Sequence, residues 1–472
     1  MISSYSRLPL FIQVGFVLFL LALGVVISIQ PLLTLGFLFI GIAIIGLSAP
    51  RKLLQLLLFV GGISVNVLVG EDVILLQELG GFQVSGLLLG IMVPLLGFIT
   101  LVKFMKLDNK IKVPSALRIY VLFVTFAAIS LLYTTDLNSG IRLLFKLLYP
   151  FLVALVTVLI IQSREERLWL EKYLIAGGLL VSVLGLLNFT GRGEAELYLR
   201  GGAFRYTSGF AHPSVFSFYM LALFALVYIK WRYNQGRGYL WLAIIFGAQI
   251  FLSMTRIGLI SFLLIVFLTE FLRQPNLARR LFTSFLLAVL LIGASIYSLM
   301  EFEPLQSRFF YRPLSDRSLE EYLEYINDQG RRQIWSAAFN QYLQGNLIFG
   351  QGLGSSTGFL RSSGFEKAGV MHNEYLRLLY ETGIVGLTLF LFVNLILMGN
   401  LIKLIKASAN GDVRVTAVVA FTTLVIYMVV AITDNPLDYY MMFAQYVFAY
   451  VGLSYSLTRE TKDLTSLSLS GA

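Results

Sequence analysis

Apolar runs long enough to cross a bilayer recur along nearly the whole of this chain, and they constrain its architecture before any motif is read. A membrane-crossing helix needs roughly 20 mainly apolar residues, with about 17 as the lower bound. Candidate spans are Leu10–Ile29, Leu32–Leu47, Leu53–Leu68, Val84–Leu101, Leu117–Leu132, Leu143–Ile161 and Trp169–Leu187. Further along come Val215–Ile229, Tyr239–Leu252, Ile257–Phe271, Leu281–Leu299, Gly383–Leu401, Val415–Ile432 and Tyr439–Leu457. Unpaired backbone cannot face lipid, so these runs must be helices. The expectation is an all-α polytopic membrane protein of about fourteen transmembrane helices, a few short enough to re-enter instead. Hydrophobic residues make up 57% of the 472, above a soluble domain's share, so the length counts spans rather than soluble domains. Leu10–Ile29 has no clear small-residue cleavage site, which argues against a removable signal peptide.

The loops between the runs alternate in charge. Arg51 and Lys52, then Lys103, Lys106, Lys110 and Lys112, then Arg164 and Arg167 follow the second, fourth and sixth runs. Lys230, Arg232 and Arg237, then Arg273, Arg279 and Arg280, then Lys403 and Lys406 follow the eighth, tenth and twelfth. Gly70–Phe82 and Thr433–Asp438 carry acids and no Lys or Arg. The positive-inside rule then puts both termini in the cytoplasm, with an even number of spans. The expected division is residues 1–300 as transmembrane helices 1–11 with a short basic external loop at 190–213, 301–382 as a large periplasmic catalytic loop, and 383–472 as helices 12–14 with a cytoplasmic tail. The net charge of +10 fits basic inner loops against anionic membrane lipids better than a nucleic-acid partner.

Two external segments are nevertheless basic. Thr190–Pro213 carries Arg192, Arg200 and Arg205; Glu301–Thr382 carries Arg308, Arg312, Arg317, Arg331, Arg332, Arg361, Lys367 and Arg377. Long loops translocate regardless of charge, so the topology stands, but clustered guanidinium groups suit an anionic, phosphate-bearing ligand. Within the long loop, Ser318–Tyr325 reads as an acidic surface helix, which Gly330 breaks. Arg331–Leu343 reads as a second helix with Ile334, Trp335, Ala338, Phe339 and Tyr342 on one face. The Gly350-Gln351-Gly352-Leu353-Gly354-Ser355-Ser356 stretch lacks the Gly-Lys-Ser/Thr ending and preceding strand of a phosphate loop, so it reads as a flexible turn. The chain has no cysteine and two histidines, which excludes thiol chemistry and makes a multi-histidine metal site improbable; neither a metal nor a cofactor is expected.

Three motifs give a family resemblance. They are Leu252-Ser253-Met254-Thr255-Arg256-Ile257-Gly258, then Gly330-Arg331-Arg332-Gln333-Ile334-Trp335 with the glycine turn, then His372-Asn373-Glu374-Tyr375-Leu376 with Glu381-Thr382-Gly383-Ile384-Val385-Gly386-Leu387. Together they resemble the O-antigen ligase and O-antigen polymerase family of bacterial membrane glycosyltransferases, over roughly Phe251–Leu401. The first motif departs from the family's Ser-Arg-Gly, with Thr255 for Ser and Ile257 inserted. Gly209–Ser214 also resembles a family helix start, with Ser214 in place of Asn. The resemblance implies a lipid-dependent glycosyltransferase (GT-C-like) fold and a polyprenyl-diphosphate-linked oligosaccharide donor, undecaprenyl diphosphate being the lipid in view. It implies a glycan acceptor or a lipid A core acceptor on the periplasmic side, no metal, and a chain-length regulator protein as a further partner. A surface polysaccharide or O-antigen polymerase is the preferred expectation, an O-antigen ligase of lipopolysaccharide biosynthesis the alternative. A transporter of an anionic solute or lipid is a reading of another class; few ionisable residues inside spans and no evident internal repeat count against it.

By analogy with the family, His372 is the candidate base, with the bland alternative a hydrogen-bonded histidine at a helix start. Arg256 and Arg331 join it as catalytic candidates; the alternatives are interfacial snorkelling and a solvated surface charge. Arg205, Arg332, Arg200 and Tyr375 are the substrate-binding candidates, although Arg332, next to Arg331, must point elsewhere on the helix. His212 before Pro213 reads as a helix cap, and Glu374 and Glu381 as structural carboxylates.

Overall fold

The computed structural model describes residues 44, 48–60, 78–79, 82–105, 115–192, 197–200, 203–208, 210, 212–274, 276–301, 330–365, 369–408 and 411–456. The expected spans at 10–29 and 32–47 (apart from residue 44), the far part of 53–68, the helix expected at 318–325, and Arg308, Arg312, Arg317 and Lys367 lie outside them. The remaining apolar runs are helices. They are α1 (Pro50–Val60), α2 (Val84–Met105), α3 (Ser115–Ile129), α4 (Leu137–Ile160), α5 (Arg164–Arg192), α6 (Pro213–Arg232), α7 (Gly238–Leu252), α8 (Arg256–Arg273) and α9 (Leu277–Glu301). After α10 (Arg331–Leu343) and α11 (Ser355–Ser362) come α12 (Glu374–Ala407), α13 (Gly411–Val430) and a π-turn, Tyr440–Ala444, that continues as helix over 445–456. Two short antiparallel hairpins complete the described chain: β1 (Glu78–Leu79) with β2 (Phe82–Gln83), and β3 (Leu197–Arg200) with β4 (Ala203–Tyr206).

Six helical segments among the described residues are long and apolar enough to cross a membrane: Ala116–Tyr133, Leu137–Ile160, Arg164–Leu186, Pro213–Arg232, Glu374–Ala407 and Gly411–Val430. Burial sorts them. The apolar windows of α4, α6 and α13 are 78%, 83% and 72% buried, so these helices meet protein on nearly every side and form the centre. The windows of α3, α5 and α12 are 33–39% buried, leaving much of each apolar surface for lipid. Tyrosine hydroxyls inside the bundle find backbone acceptors, as groups cut off from water must: Tyr120 donates to the Leu147 carbonyl (3.0 Å), Tyr446 to Leu58 (2.9 Å) and Tyr450 to Ala222 (3.2 Å).

Chain direction sends the charged groups to the two ends. At one end, where α4 stops and α5 and α13 start, Arg164 and Arg167 meet Asp412 at 2.5 and 2.9 Å, and Lys230 meets Glu171 at 2.5 Å. Glu270 there pairs with Arg232 and Arg273. At the other end, residues 330–365 and 369–373 form a small domain on the bundle. Ile334, Ala338 and Tyr342 of α10 pack with Phe359 and Leu360 of α11, Met371 and Tyr380. The glycine turn does not behave as the flexible connector expected from sequence. Helix α12 breaks at Gly383 (φ 65°, ψ −169°), which frees backbone groups on either side. Leu347 and Ile348 carbonyls accept from Ile384 and Val385 N–H, and Gln351 and Gly352 N–H donate to Tyr380 and Glu381 carbonyls, at 2.9–3.2 Å. Leu353 N–H donates to Ser130 Oγ, and Thr134 Oγ1 donates to the Leu353 carbonyl. Gly352 and Gly354 have φ of +93° and +87°, and a Cβ on either would run into the backbone of Thr134 or of Gly140. The glycines are there for close approach and left-handed backbone.

Candidate functional site

Helix α10 begins at Arg331, after Gly330 in left-handed conformation. Trp335, one turn in, donates from Nε1 to the Met371 carbonyl at 2.9 Å, which ties α10 to the residue before His372. His372 itself has φ +52°, a left-handed backbone that non-glycine residues seldom adopt. The next residues fix it. Asn373 caps α12 by accepting from Leu376 N–H (2.9 Å), and Glu374 N–H donates to the Ala431 carbonyl (2.8 Å). That last bond joins the start of α12 to the loop after α13, residues 431–438.

This loop supplies the carboxylate that faces the histidine. Asp434 Oδ1 lies 3.4 Å from His372 Nδ1 and accepts from Asn435 N–H (2.9 Å) and the Tyr439 hydroxyl (3.0 Å). Asp434 is 2% exposed. Burial alone would raise its pKa; the hydrogen bond and charge of His372, the Asn435 N–H and the charge of Arg331 outweigh it, and the carboxyl sits below its ordinary value. The charge of Arg331 is felt at both Asp434 and Tyr439. With the proton on Nδ1 toward Asp434, Nε2 of His372 keeps a lone pair able to take a proton, and the carboxylate stabilises the imidazolium that results. The structure thus brings together Arg331 and His372 and adds Asp434, which the sequence reading used only to orient a loop.

Arg256 and Arg205 form a second grouping. Arg256 opens α8 after a tight turn in which Met254 has φ +48°. Arg205, on β4 and 3% exposed, donates from Nε to the Ser253 carbonyl at 3.1 Å, so it holds the turn that presents Arg256. A Cβ at Gly258 would strike Ser217 of α6, while the next residue of α6, Phe218, packs its ring 5.6 Å from that of Tyr439. The Arg256 turn and the Tyr439–Asp434–His372 group therefore both adjoin the start of α6, at the same end of the bundle. Non-glycine left-handed residues, Met254 and His372, adjoin both groups; such strain concentrates at functional sites.

The other candidates fall outside this arrangement. Tyr375, expected to touch substrate, donates its hydroxyl to the Met428 carbonyl at 2.6 Å and braces α12 against α13. Its position three residues after His372 turns it into the bundle. Arg332 is exposed on α10, and Arg200 ends β3, its backbone paired with Ala203. His212 caps α6, its Nδ1 accepting from Ser214 N–H at 3.2 Å. Neither glutamate of the third motif meets His372. Glu374 pairs with Arg377 at 2.5 Å, and Glu381 accepts from Ser356 Oγ at 2.5 Å.

A bundle of helices long and apolar enough to cross a membrane, with a histidine–carboxylate pair and arginines at one end, defines a polytopic membrane protein with a charged site. Residues 241–391 match the family model described as O-antigen ligase, and all three motifs fall within that segment. The similarity covers about a third of the chain and supports a membrane enzyme that transfers glycan. No curated protein matches the chain. Asp434, Asp438, Lys146 and Arg205 lie outside the matched segment.

Proposed function

We propose that the protein is a membrane glycosyltransferase that moves glycan from a polyprenyl-diphosphate donor to an acceptor hydroxyl, on the periplasmic face of a bacterial inner membrane. The observation that carries this reading is the His372–Asp434 pair beside Arg331, at the mouth of an apolar bundle suited to a lipid-linked substrate. In the transfer, the acceptor oxygen attacks the anomeric carbon while Nε2 of His372 takes its proton. The bond from that carbon to the diphosphate oxygen breaks, and its electron pair leaves with the polyprenyl diphosphate. Arg331 and Arg256 supply positive charge where the leaving group gains negative charge. No step requires a metal, and turnover is expected to persist in excess chelator. Loss of activity in chelator that magnesium or manganese restores would overturn this.

The polymerase reading makes the acceptor a second lipid-linked glycan. The family description favours a second reading, an O-antigen ligase that delivers the glycan to lipid A core. Incubating purified protein with a polyprenyl-diphosphate oligosaccharide, with and without a lipid A core acceptor, separates them. A ladder without added acceptor is polymerase behaviour, and one transfer onto the core is ligase behaviour. An unconsumed donor would refute both and turn attention to transport.

A further inference from the structure

Four charged side chains from three elements meet beneath the loop that carries Asp434. Lys146, in the third turn of α4, meets Asp438 Oδ1 at 2.5 Å. Arg377 of α12 meets Asp438 Oδ2 at 2.8 Å and Glu374 at 2.5 Å. Glu374, fully buried, uses its other oxygen to accept from Leu437 N–H at 3.4 Å. The loop is thereby gripped at Leu437 and Asp438, while the Ala431 carbonyl accepts from Glu374 N–H at its beginning. Asn435, fully buried between them, finds no partner for either side-chain polar atom among the described residues.

Such an arrangement contributes little net stability. Withdrawing four charges from water costs about what their attraction returns, and apolar residues of similar size often serve better. Charge pairs do fix geometry, because the hydrogen bonds within them are short and directional. The group they fix is specific: Asp434 lies in the middle of the gripped loop, and Tyr439, next to Asp438, donates to the Asp434 oxygen that faces His372.

We propose that the Lys146–Asp438–Arg377–Glu374 quartet is a positioning device for the transfer site, and that Lys146 is a positioning residue that reaches it from outside the family segment. The proposal rests on the reading of His372 as the proton acceptor. Lys146 and Asp438 hold residues 431–438 against the start of α12 so that Asp434 stays on His372. The device links the first half of the chain to the catalytic end, since α4 supplies the cation and the last loop the anion.

The test uses the full chain in detergent or proteoliposomes with the variants Lys146→Met, Lys146→Arg, Asp434→Asn and Lys146→Met/Asp434→Asn. Initial rates are measured on a polyprenyl-diphosphate oligosaccharide with acceptor, and amide hydrogen exchange is followed over residues 432–439. Lys146→Met is expected to lower kcat on the order of ten- to a hundredfold, as loss of an orienting partner does. Donor KM should move by less than about twofold, since ground-state binding is untouched. Lys146→Arg should recover most of the rate. In the Asp434→Asn background Lys146→Met should cost nothing more, because the group it positions is gone. Exchange over the loop should quicken in Lys146→Met and not in Lys146→Arg. A raised KM at unchanged kcat, or losses that simply add with Asp434→Asn, would overturn the proposal; so would unaltered exchange in a folded Lys146→Met protein. If wild type leaves the donor untouched while exchange still quickens, the clamp stands and the glycosyltransferase reading falls.

Discussion

His372 and Asp434 are 62 residues apart in sequence, and each is held by contacts unrelated to the other until the loop after α13 meets the start of α12. A general base typically contributes about 10²–10⁴-fold to rate. His372→Ala should therefore lower turnover by that order while donor binding changes little; near-normal turnover in folded protein would remove His372 from the role. Arg331→Ala should weaken both binding and turnover, with Arg331→Lys recovering part, because the planar fork is lost while the charge remains. The carboxyl of Asp434 is held below its ordinary range, so its pairing adds stability that is present above the unfolded carboxyl's pKa of about 3.9 and fades as pH falls through the lower folded value. The difference in melting temperature between wild type and Asp434→Asn should be largest near neutral pH and shrink below about pH 4. As a candidate, His372 was legible in sequence from its motif and the scarcity of histidine. Asp434 was not, since it sits in a short acidic loop that serves topology equally well. A pair of aspartates around Asn435-Pro436 in a chain with only 26 acids was the available signal.

At the scale of elements, α10 was readable to its ends. Gly330 marks its start, and Ile334, Ala338 and Tyr342 at fourfold spacing are its buried face. Phe339, expected on that face, is exposed, because the small domain covers a narrow stripe and not the full apolar side. The glycine turn was misread. Sequence shows that glycines permit unusual backbone, not whether something presses on them, and Thr134 and Gly140 come from a distant element. Gly352→Ala should destabilise the protein by at least about 1 kcal/mol, through positive φ and the clash with Thr134 together. Thermal unfolding in detergent reads this directly. Gly364→Ala, with positive φ and open space around it, is the control for the clash contribution.

For the whole molecule, apolarity made the spans visible, while their layering was not visible. Runs of overlapping hydropathy became central α4 and α6 or peripheral α3 and α12, because lipid and protein interior reward the same side chains. Orientation is testable, since a chain without cysteine accepts single probes. Ser363 on the small domain and Ala407 at the end of α12 are both exposed. In cells with a permeabilised outer membrane, Ser363→Cys should react with an impermeant thiol reagent and Ala407→Cys should not. The reverse pattern would invert the topology.

The backbone bonds around Gly383 have a consequence for how this protein can be handled. The small domain lends its carbonyls and amides to repair the break in a membrane-crossing helix, and takes a hydroxyl and an amide's acceptor from the turn before α4. It is less a globule resting on the bundle than a splint set into it. A soluble fragment of residues 330–382 would keep its apolar contacts but leave those edges bare, so it should be recovered unfolded or aggregated, and inhibitors sought on such a fragment would be selected against a shape the intact protein never displays.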